Sequence, residues 1–81
     1  MTIEEARLLI LEFAHKQRQG LYPCPRCGRM AMDKDPVRNA LSRRVDCYVC
    51  DRCGMVEALE DLTGNQLPLS EWVIAKNPAL W

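Results

Sequence analysis

The sequence CPRCG at residues 24–28 returns as CDRCG at residues 50–54, so two short phrases use four of the five cysteines of this 81-residue chain. The full spacing is Cys-x2-Cys-x22-Cys-x2-Cys. A gap of two residues lets both thiolates of a pair turn toward one metal ion, with Zn–S distances of about 2.3 Å. We therefore predict one structural zinc ion, Zn2+, held by both pairs. Its predicted ligands are Cys24, Cys27, Cys50 and Cys53.

Four thiolates fill a tetrahedral site and leave no open position for water or substrate, so a catalytic metal is not expected. The sequence has no His–carboxylate pairing and no phosphate-binding glycine loop, and we predict no catalytic residues, no small-molecule substrate and no enzyme activity. The metal would instead stabilise the fold, by on the order of 10 kcal/mol. Arg26 and Arg52 lie between the ligands of each pair, where a cation offsets thiolate charge.

Glycine follows each cysteine pair, at Gly28 and Gly54. Because a turn around a metal often requires positive φ at this position, we expect two separate knuckles, each ending in a left-handed glycine. Cys47 and Cys50 also have the Cys-x2-Cys spacing, but Asp51 and not glycine follows them. Cys47 is therefore predicted to be a small buried residue of a strand and not a ligand.

The remaining sequence predicts a small α+β fold, a zinc ribbon that forms one domain over residues 1–81. A helix over residues 2–19 begins with a capping box of Thr2 and Glu5. Residues 21–54 are the ribbon, with extended segments at residues 29–33 and 43–50 joined by a turn at residues 34–42.

Helices follow over residues 55–76. The first of them has Val56, Leu59 and Leu62 on one side and is expected to end at Gly64. The alternative architecture is a treble clef, in which the second cysteine pair lies at the start of this helix.

Two sets of side chains are candidates for contact with a partner. Basic side chains at the hairpin are candidates for contact with nucleic acid or a partner: Arg38, Arg43 and Arg44. Leucines that widen the apolar stripe of the first helix are candidates for contact with a protein partner or a second copy of the chain: Leu8, Leu9 and Leu11. Eleven basic and eleven acidic residues give a formal net charge of zero, which does not favour general attraction to nucleic acid or anionic membranes.

No apolar run reaches the roughly 18 residues that span a bilayer. The N-terminal acidic residues also differ from the basic start of a signal peptide. We therefore expect an intracellular protein without a membrane partner, and paired cysteines in a reducing compartment indicate a metal before a disulfide.

The stretch NALSRRVDCYVCDRCGMVEALEDLTG, with CPRCGRM upstream, resembles small zinc-ribbon proteins of bacterial phages and mobile elements. The resemblance covers roughly residues 22–64, and members of that group are mostly of unassigned function. It implies the same four cysteine ligands, a zinc-ribbon fold and a location in the cytoplasm of a bacterial host cell. It implies no further functional residue.

Three functions remain open at this point. The first is a binding module that acts through protein–protein contacts, as a phage-encoded modulator or inhibitor of a host defence protein. The second is a zinc ribbon that binds nucleic acid in transcription or phage regulation. The third is a rubredoxin-like electron carrier, since paired Cys-x2-Cys-Gly motifs also occur around iron.

Overall fold

A computed structural model describes the backbone of residues 1–81 and every side chain except that of Leu80. The described residues form a small α+β fold, which confirms the predicted class. Its helices are α1 (Ile3–Gln17), α2 (Asp51–Thr63) and α3 (Val73–Lys76), and its strands are β1 (Ala40–Leu41) and β2 (Tyr48–Val49). Short 3-10 turns lie at Pro36–Arg38, Leu69–Glu71 and Pro78–Leu80.

Helix α1 begins with the predicted capping box. The hydroxyl of Thr2 accepts a hydrogen bond from the Glu5 N–H at 3.1 Å, and the Glu5 carboxylate accepts one from the Thr2 N–H at 2.9 Å. These bonds satisfy two backbone donors that lack a partner inside the helix. The buried face of α1 carries Ala6, Ile10, Phe13 and Gln17.

The hairpin lies later in the sequence than predicted. Strand β1 pairs with β2 in antiparallel register, with Ala40 opposite Val49 and Leu41 opposite Tyr48. Residues 29–33 were expected to supply the first strand, and that expectation is wrong. The amide of Asn39 explains the difference, because it accepts from the Asp33 N–H at 2.7 Å and donates to the Asp33 carbonyl at 3.1 Å, so this segment closes a loop.

Helix α2 begins at Asp51, within the second cysteine phrase, so the predicted second knuckle is not formed. Gly54 lies inside the helix, and the positive-φ glycines of the described chain are Gly28 and Gly64. A Cβ at Gly54 would lie 2.5 Å from the Cβ of Ala40. The glycine therefore serves the close packing of β1 against α2, and the second pair lies at a helix start, as in the alternative architecture.

The apolar face predicted for α2 points outward. Val56, Leu59 and Leu62 are 39%, 56% and 84% exposed, whereas Glu57, on the opposite side of the helix, is fully buried. The spacing of the three apolar residues predicts one helical side, and the structure leaves that side exposed. The reason is that Glu57 has polar partners in the interior that are distant in sequence, as described below.

The C-terminal segment packs on the first cysteine phrase. The N–H groups of Val73 and Ile74 donate to the carbonyls of Arg26 and Pro25, both at 3.1 Å. Trp72 and Ile74 are fully buried in the core that α1 also lines. The last helical turns therefore support the loop that carries Cys24 and Cys27.

The chain end also packs on α1. The Phe13 ring meets the Trp81 ring edge-on with centroids 5.1 Å apart, and it also meets the Tyr22 ring edge-on at 5.6 Å. The backbone carbonyl of Trp81 accepts a hydrogen bond from Lys16. These contacts place both Tyr22 and Trp81 in the packing around Phe13.

Candidate metal centre

The structure brings together the four cysteines that the sequence predicted as ligands, and their sulfurs all lie within 4.8 Å of one another. The Sγ atoms of Cys24 and Cys53 are 3.8 Å apart, and those of Cys27 and Cys50 are 3.9 Å apart. A tetrahedron with metal–sulfur distances of about 2.3 Å has edges of about 3.8 Å. The spacing therefore fits one tetrahedral metal ion and is far too long for disulfides, whose S–S distance is about 2.05 Å.

The first pair is held by a tight backbone turn. The Gly28 N–H donates to the Cys24 carbonyl at 2.7 Å, and the Cys24 N–H donates to the Arg29 carbonyl at 2.9 Å. Gly28 has the predicted positive φ, 78°. A Cβ at this residue would also lie 2.9 Å from Val73 Cγ1, so the glycine permits both the turn and the approach of α3.

The second pair lies at the N-terminus of α2. Cys50 precedes the helix and Cys53 lies in its first turn, so both sulfurs are near the positive end of the helix dipole, which favours thiolates. The Cys50 N–H donates to the Cys24 sulfur at 3.3 Å, which joins the two pairs. A closed set of four thiolates with N–H donors directed at sulfur is suited to holding a metal, because ligating sulfurs must carry charge.

The thiol pKa values differ within the cluster. Burial raises the pKa of Cys24 to about 11, although the N–H groups of Cys50, Cys27 and Arg26 act in the opposite direction. Burial also raises the pKa of Cys53, and the charge of Cys24 adds to that effect. For Cys50, burial is outweighed by the Cys53 N–H and the neighbouring sulfurs, and the pKa falls. A cation at the centre would favour deprotonation of all four thiols.

Cys47 is buried but is not one of the four clustered sulfurs. Its thiol donates to Gln17 Oε1 at 3.4 Å, and the same oxygen accepts from the Tyr48 N–H at 3.0 Å. The Gln17 amide donates in turn to the Tyr48 carbonyl at 2.7 Å. The side chain of Gln17 thus bonds both backbone groups of Tyr48 and ties α1 to the hairpin. No spacing pattern in the sequence indicated this role of Gln17.

A buried charge network lies beside the cluster. Arg26 donates to a carboxylate oxygen of Glu60 at 2.5 Å, and its other amino group faces Glu57 at 3.8 Å, an ion pair too long for a hydrogen bond. Glu57 also accepts from the Ser42 hydroxyl at 2.8 Å and from the Arg43 N–H at 2.7 Å. Arg26 was expected to offset thiolate charge, but its observed partners are these two carboxylates.

The three arginines predicted at the hairpin do not form one free cationic surface. Arg44 contacts Glu60 at 3.3 Å and Asp61 at 2.8 Å, and its side chain is only 12% exposed. Arg43 faces Asp61 at 3.4 Å, and Arg38 pairs with Asp35 at 3.7 Å. Burial raises the pKa of Glu60, but the guanidinium groups of Arg26 and Arg44 outweigh it and hold that pKa below its usual value.

The three leucines proposed as a partner face of α1 lie in different environments. Leu8 is 57% exposed, while Leu9 and Leu11 are partly buried against the core.

None of the helices that the structure describes combines the length and apolarity needed to cross a membrane.

An open cleft of about 340 Å3 adjoins the cluster of four cysteines. The sulfur-bearing residues Cys27 and Cys53 line it, together with apolar atoms of Val56 and Leu67. Three arginines also line it, of which Arg26 is buried while Arg29 and Arg52 are exposed. Neither Arg29 nor Arg52 has a carboxylate within ion-pair distance among the described side chains.

Comparison with known proteins gives no relative from which a role can be carried over. No family model, curated protein or solved structure matches this chain. The function must therefore be argued from the site itself.

Proposed function

We propose that the chain is a structural-zinc module that acts by binding another protein, and not an enzyme. The observation that carries this proposal is the exposed apolar face of α2. We call it the α2 stripe: Met55, Val56, Leu59 and Leu62, which are 68%, 39%, 56% and 84% exposed. Contiguous exposed apolar side chains on a small protein mark an interaction surface, because burying each one in a complex contributes about 1.5–3 kcal/mol.

Zinc is the metal that best fits the proposal. Four thiolates in a closed tetrahedral arrangement are typical of structural zinc sites. The α2 stripe extends from the helix whose first turn carries Cys53. Metal binding would therefore fix the orientation of the stripe as well as stabilise the fold. The resemblance of residues 22–64 to phage zinc-ribbon proteins supports one further part of the proposal. The chain is phage-encoded, and its partner is a host protein whose activity it modulates.

Nucleic-acid binding is the second candidate, and the contacts of the arginines count against it. Arg43 and Arg44 face carboxylates of α2, so phosphate contact would require these ion pairs to be exchanged. Of the three hairpin arginines, Arg38 has the most exposed side chain, at 73%, and it pairs with Asp35. The electron-carrier alternative loses support because the second cysteine pair begins a helix and does not form a second knuckle.

Affinity capture from a bacterial lysate tests the proposal. Wild type is compared with Leu59→Glu and Leu62→Glu, and Leu8→Glu serves as a matched control because it introduces the same charge at an equally exposed leucine of α1. We expect one or more proteins to be retained by wild type and Leu8→Glu and lost by both α2 variants. Equal retention by all four proteins would refute the stripe as the binding surface.

Two further measurements separate the alternatives. Elemental analysis is expected to give one zinc per chain, and a coloured protein with iron would favour the electron carrier. Double-stranded DNA binding is expected to be weak. Binding that falls steeply with salt and that Arg43→Glu abolishes would instead favour the nucleic-acid function.

A further inference from the structure

The cleft beside the metal cluster has a lining whose chemistry restricts what can bind there. Its volume, about 340 Å3, lies at the lower end of the roughly 300–1,000 Å3 of small-ligand pockets. Val56 and Leu67 supply apolar walls, and Val56 also belongs to the α2 stripe. The cleft is therefore continuous with the stripe and has room for one or two apolar side chains of a bound segment.

The charged residues that line the cleft are all arginines: Arg26, Arg29 and Arg52. Arg29 and Arg52 are exposed, and within the described part of the chain neither pairs with a carboxylate. This contrasts with Arg26, Arg43 and Arg44, each of which faces Glu57, Glu60 or Asp61. An approaching carboxylate would find two guanidinium groups that need not be released from internal partners, and guanidinium binds carboxylate in a bidentate manner.

We propose that this cleft and the adjoining α2 stripe bind an acidic protein segment that inserts an apolar side chain into the cleft that Arg29 and Arg52 line. Carboxylates of the segment pair with these two arginines, and its other apolar side chains cover Leu59 and Leu62. The inference rests on the proposed function, since it names the chemistry of the segment that the protein-binding surface takes. A basic segment or a second copy of this chain is a different outcome, which the test below distinguishes.

The rival explanation for Arg29 and Arg52 is that they offset the negative charge of a metal centre. A Zn(Cys)4 centre carries two negative charges, and Cys27 and Cys53 line the same cleft. If that were their only role, neutralising them would weaken metal binding and leave peptide preference unchanged. The experiment must therefore measure both quantities on the same variants.

The probes are two amphipathic helical peptides of equal length and equal leucine content, one with glutamate and one with lysine at every polar position. Each is titrated into the zinc-loaded, isotope-labelled full chain, and amide shifts are followed by NMR. We expect the Leu/Glu peptide to shift signals of Arg29, Arg52 and Val56. Its affinity should exceed that of the Leu/Lys peptide at least about tenfold at low salt.

Charge reversal is the decisive arm. Arg29→Glu combined with Arg52→Glu should invert the preference, so that the Leu/Lys peptide binds more tightly. Arg38→Glu is the matched control, because it reverses an exposed arginine outside the cleft and should leave the preference intact. The zinc dissociation constant, measured by competition with a chelator, should change less than about threefold in both proteins.

Three results would overturn the inference. Equal affinity for the two peptides, or no shift in the cleft at millimolar peptide, shows that the site does not select acidic segments. Weakened zinc binding with unchanged peptide preference assigns the two arginines to the metal centre alone. A dimer mass in solution that Leu59→Glu dissociates shows that the stripe is covered by a second copy. Failure of peptide binding combined with partner capture that depends on Leu62 would refute this inference and leave the proposed function standing.

Discussion

Removal of the buried carboxylate of Glu57 should cost much of the stability of this protein. Glu57 is fully buried on α2 and accepts hydrogen bonds from the Ser42 hydroxyl at 2.8 Å and the Arg43 N–H at 2.7 Å. Hydrogen bonds to a charged group contribute roughly 1.5–3 kcal/mol each. In Glu57→Ala both donors lose this partner and Arg26 keeps only Glu60. We expect the free energy of unfolding to fall by roughly 3–5 kcal/mol, the usual cost of breaking a buried pair.

Glu57→Gln separates the charge from the shape of this side chain. The amide keeps the volume of the glutamate, and its oxygen still accepts from the Arg43 N–H, while the ion pair with Arg26 is lost. The free energy of unfolding is expected to fall by roughly 1–3 kcal/mol, because Glu57→Gln loses the charge that faces Arg26 but keeps the hydrogen bond from the Arg43 N–H. Should Glu57→Ala fail to fold, Glu57→Gln remains measurable and tests the same network.

Urea and thermal unfolding followed by far-UV circular dichroism measure both changes, at one fixed free zinc concentration because metal binding shifts apparent stability. A loss of 3–5 kcal/mol corresponds to a midpoint lower by at least about 12 °C in a domain of this size. Glu71→Ala is the control, since Glu71 pairs with Lys76 on the surface at 3.1 Å and should contribute less than about 1 kcal/mol. If Glu57→Ala costs no more than Glu71→Ala, the network does not hold α2 in place and the argument is wrong.

Three further changes test other parts of the structure. Cys24→Ser should abolish stoichiometric metal binding and leave the chain largely unfolded by circular dichroism, because the free energy of metal binding, on the order of 10 kcal/mol, is lost. Cys47→Ser should still bind one metal ion, and metal loss in both variants would make Cys47 a ligand. Gly54→Ala should destabilise more than Gly64→Ala in urea unfolding, because the added Cβ lies 2.5 Å from Ala40 in the first variant and has nothing within 4 Å in the second, where only the left-handed φ costs about 1–2 kcal/mol. Equal costs would refute the packing role of Gly54. Burial raises the pKa of Cys47 from 9.0 to about 12, so the unfolded chain loses this proton first as pH rises. The stability of wild type relative to Cys47→Ala should therefore be constant below about pH 9 and then fall by up to about 1.4 kcal/mol per pH unit. A stability difference that does not depend on pH up to about 10.5 would contradict that pKa.

The ligand set of the candidate site was predictable from the sequence because it depends on local spacing. Two Cys-x2-Cys pairs, each short enough for both thiolates to face one centre, single out four candidate ligands, and the structure brings their sulfurs together. The start of α1 was predictable for the same reason, since Thr2 and Glu5 make their reciprocal bonds within one turn. Gly64 ends α2 with a φ of 77°, as its place after the apolar pattern indicated.

The tertiary structure decided what the same residue types do in different surroundings. The two glycines that follow the cysteine pairs look identical in sequence, but Gly28 makes a left-handed turn while Gly54 is a helical residue packed against Ala40. Contacts between residues distant in sequence also decided which face of α2 is buried. Ser42 and Arg26 meet Glu57 through the tertiary fold, although they lie 15 and 31 residues away in sequence, and these contacts bury a carboxylate while the apolar stripe stays exposed. Local spacing therefore determined which residues could hold a metal ion, and long-range hydrogen bonds and ion pairs determined which face of α2 stays exposed.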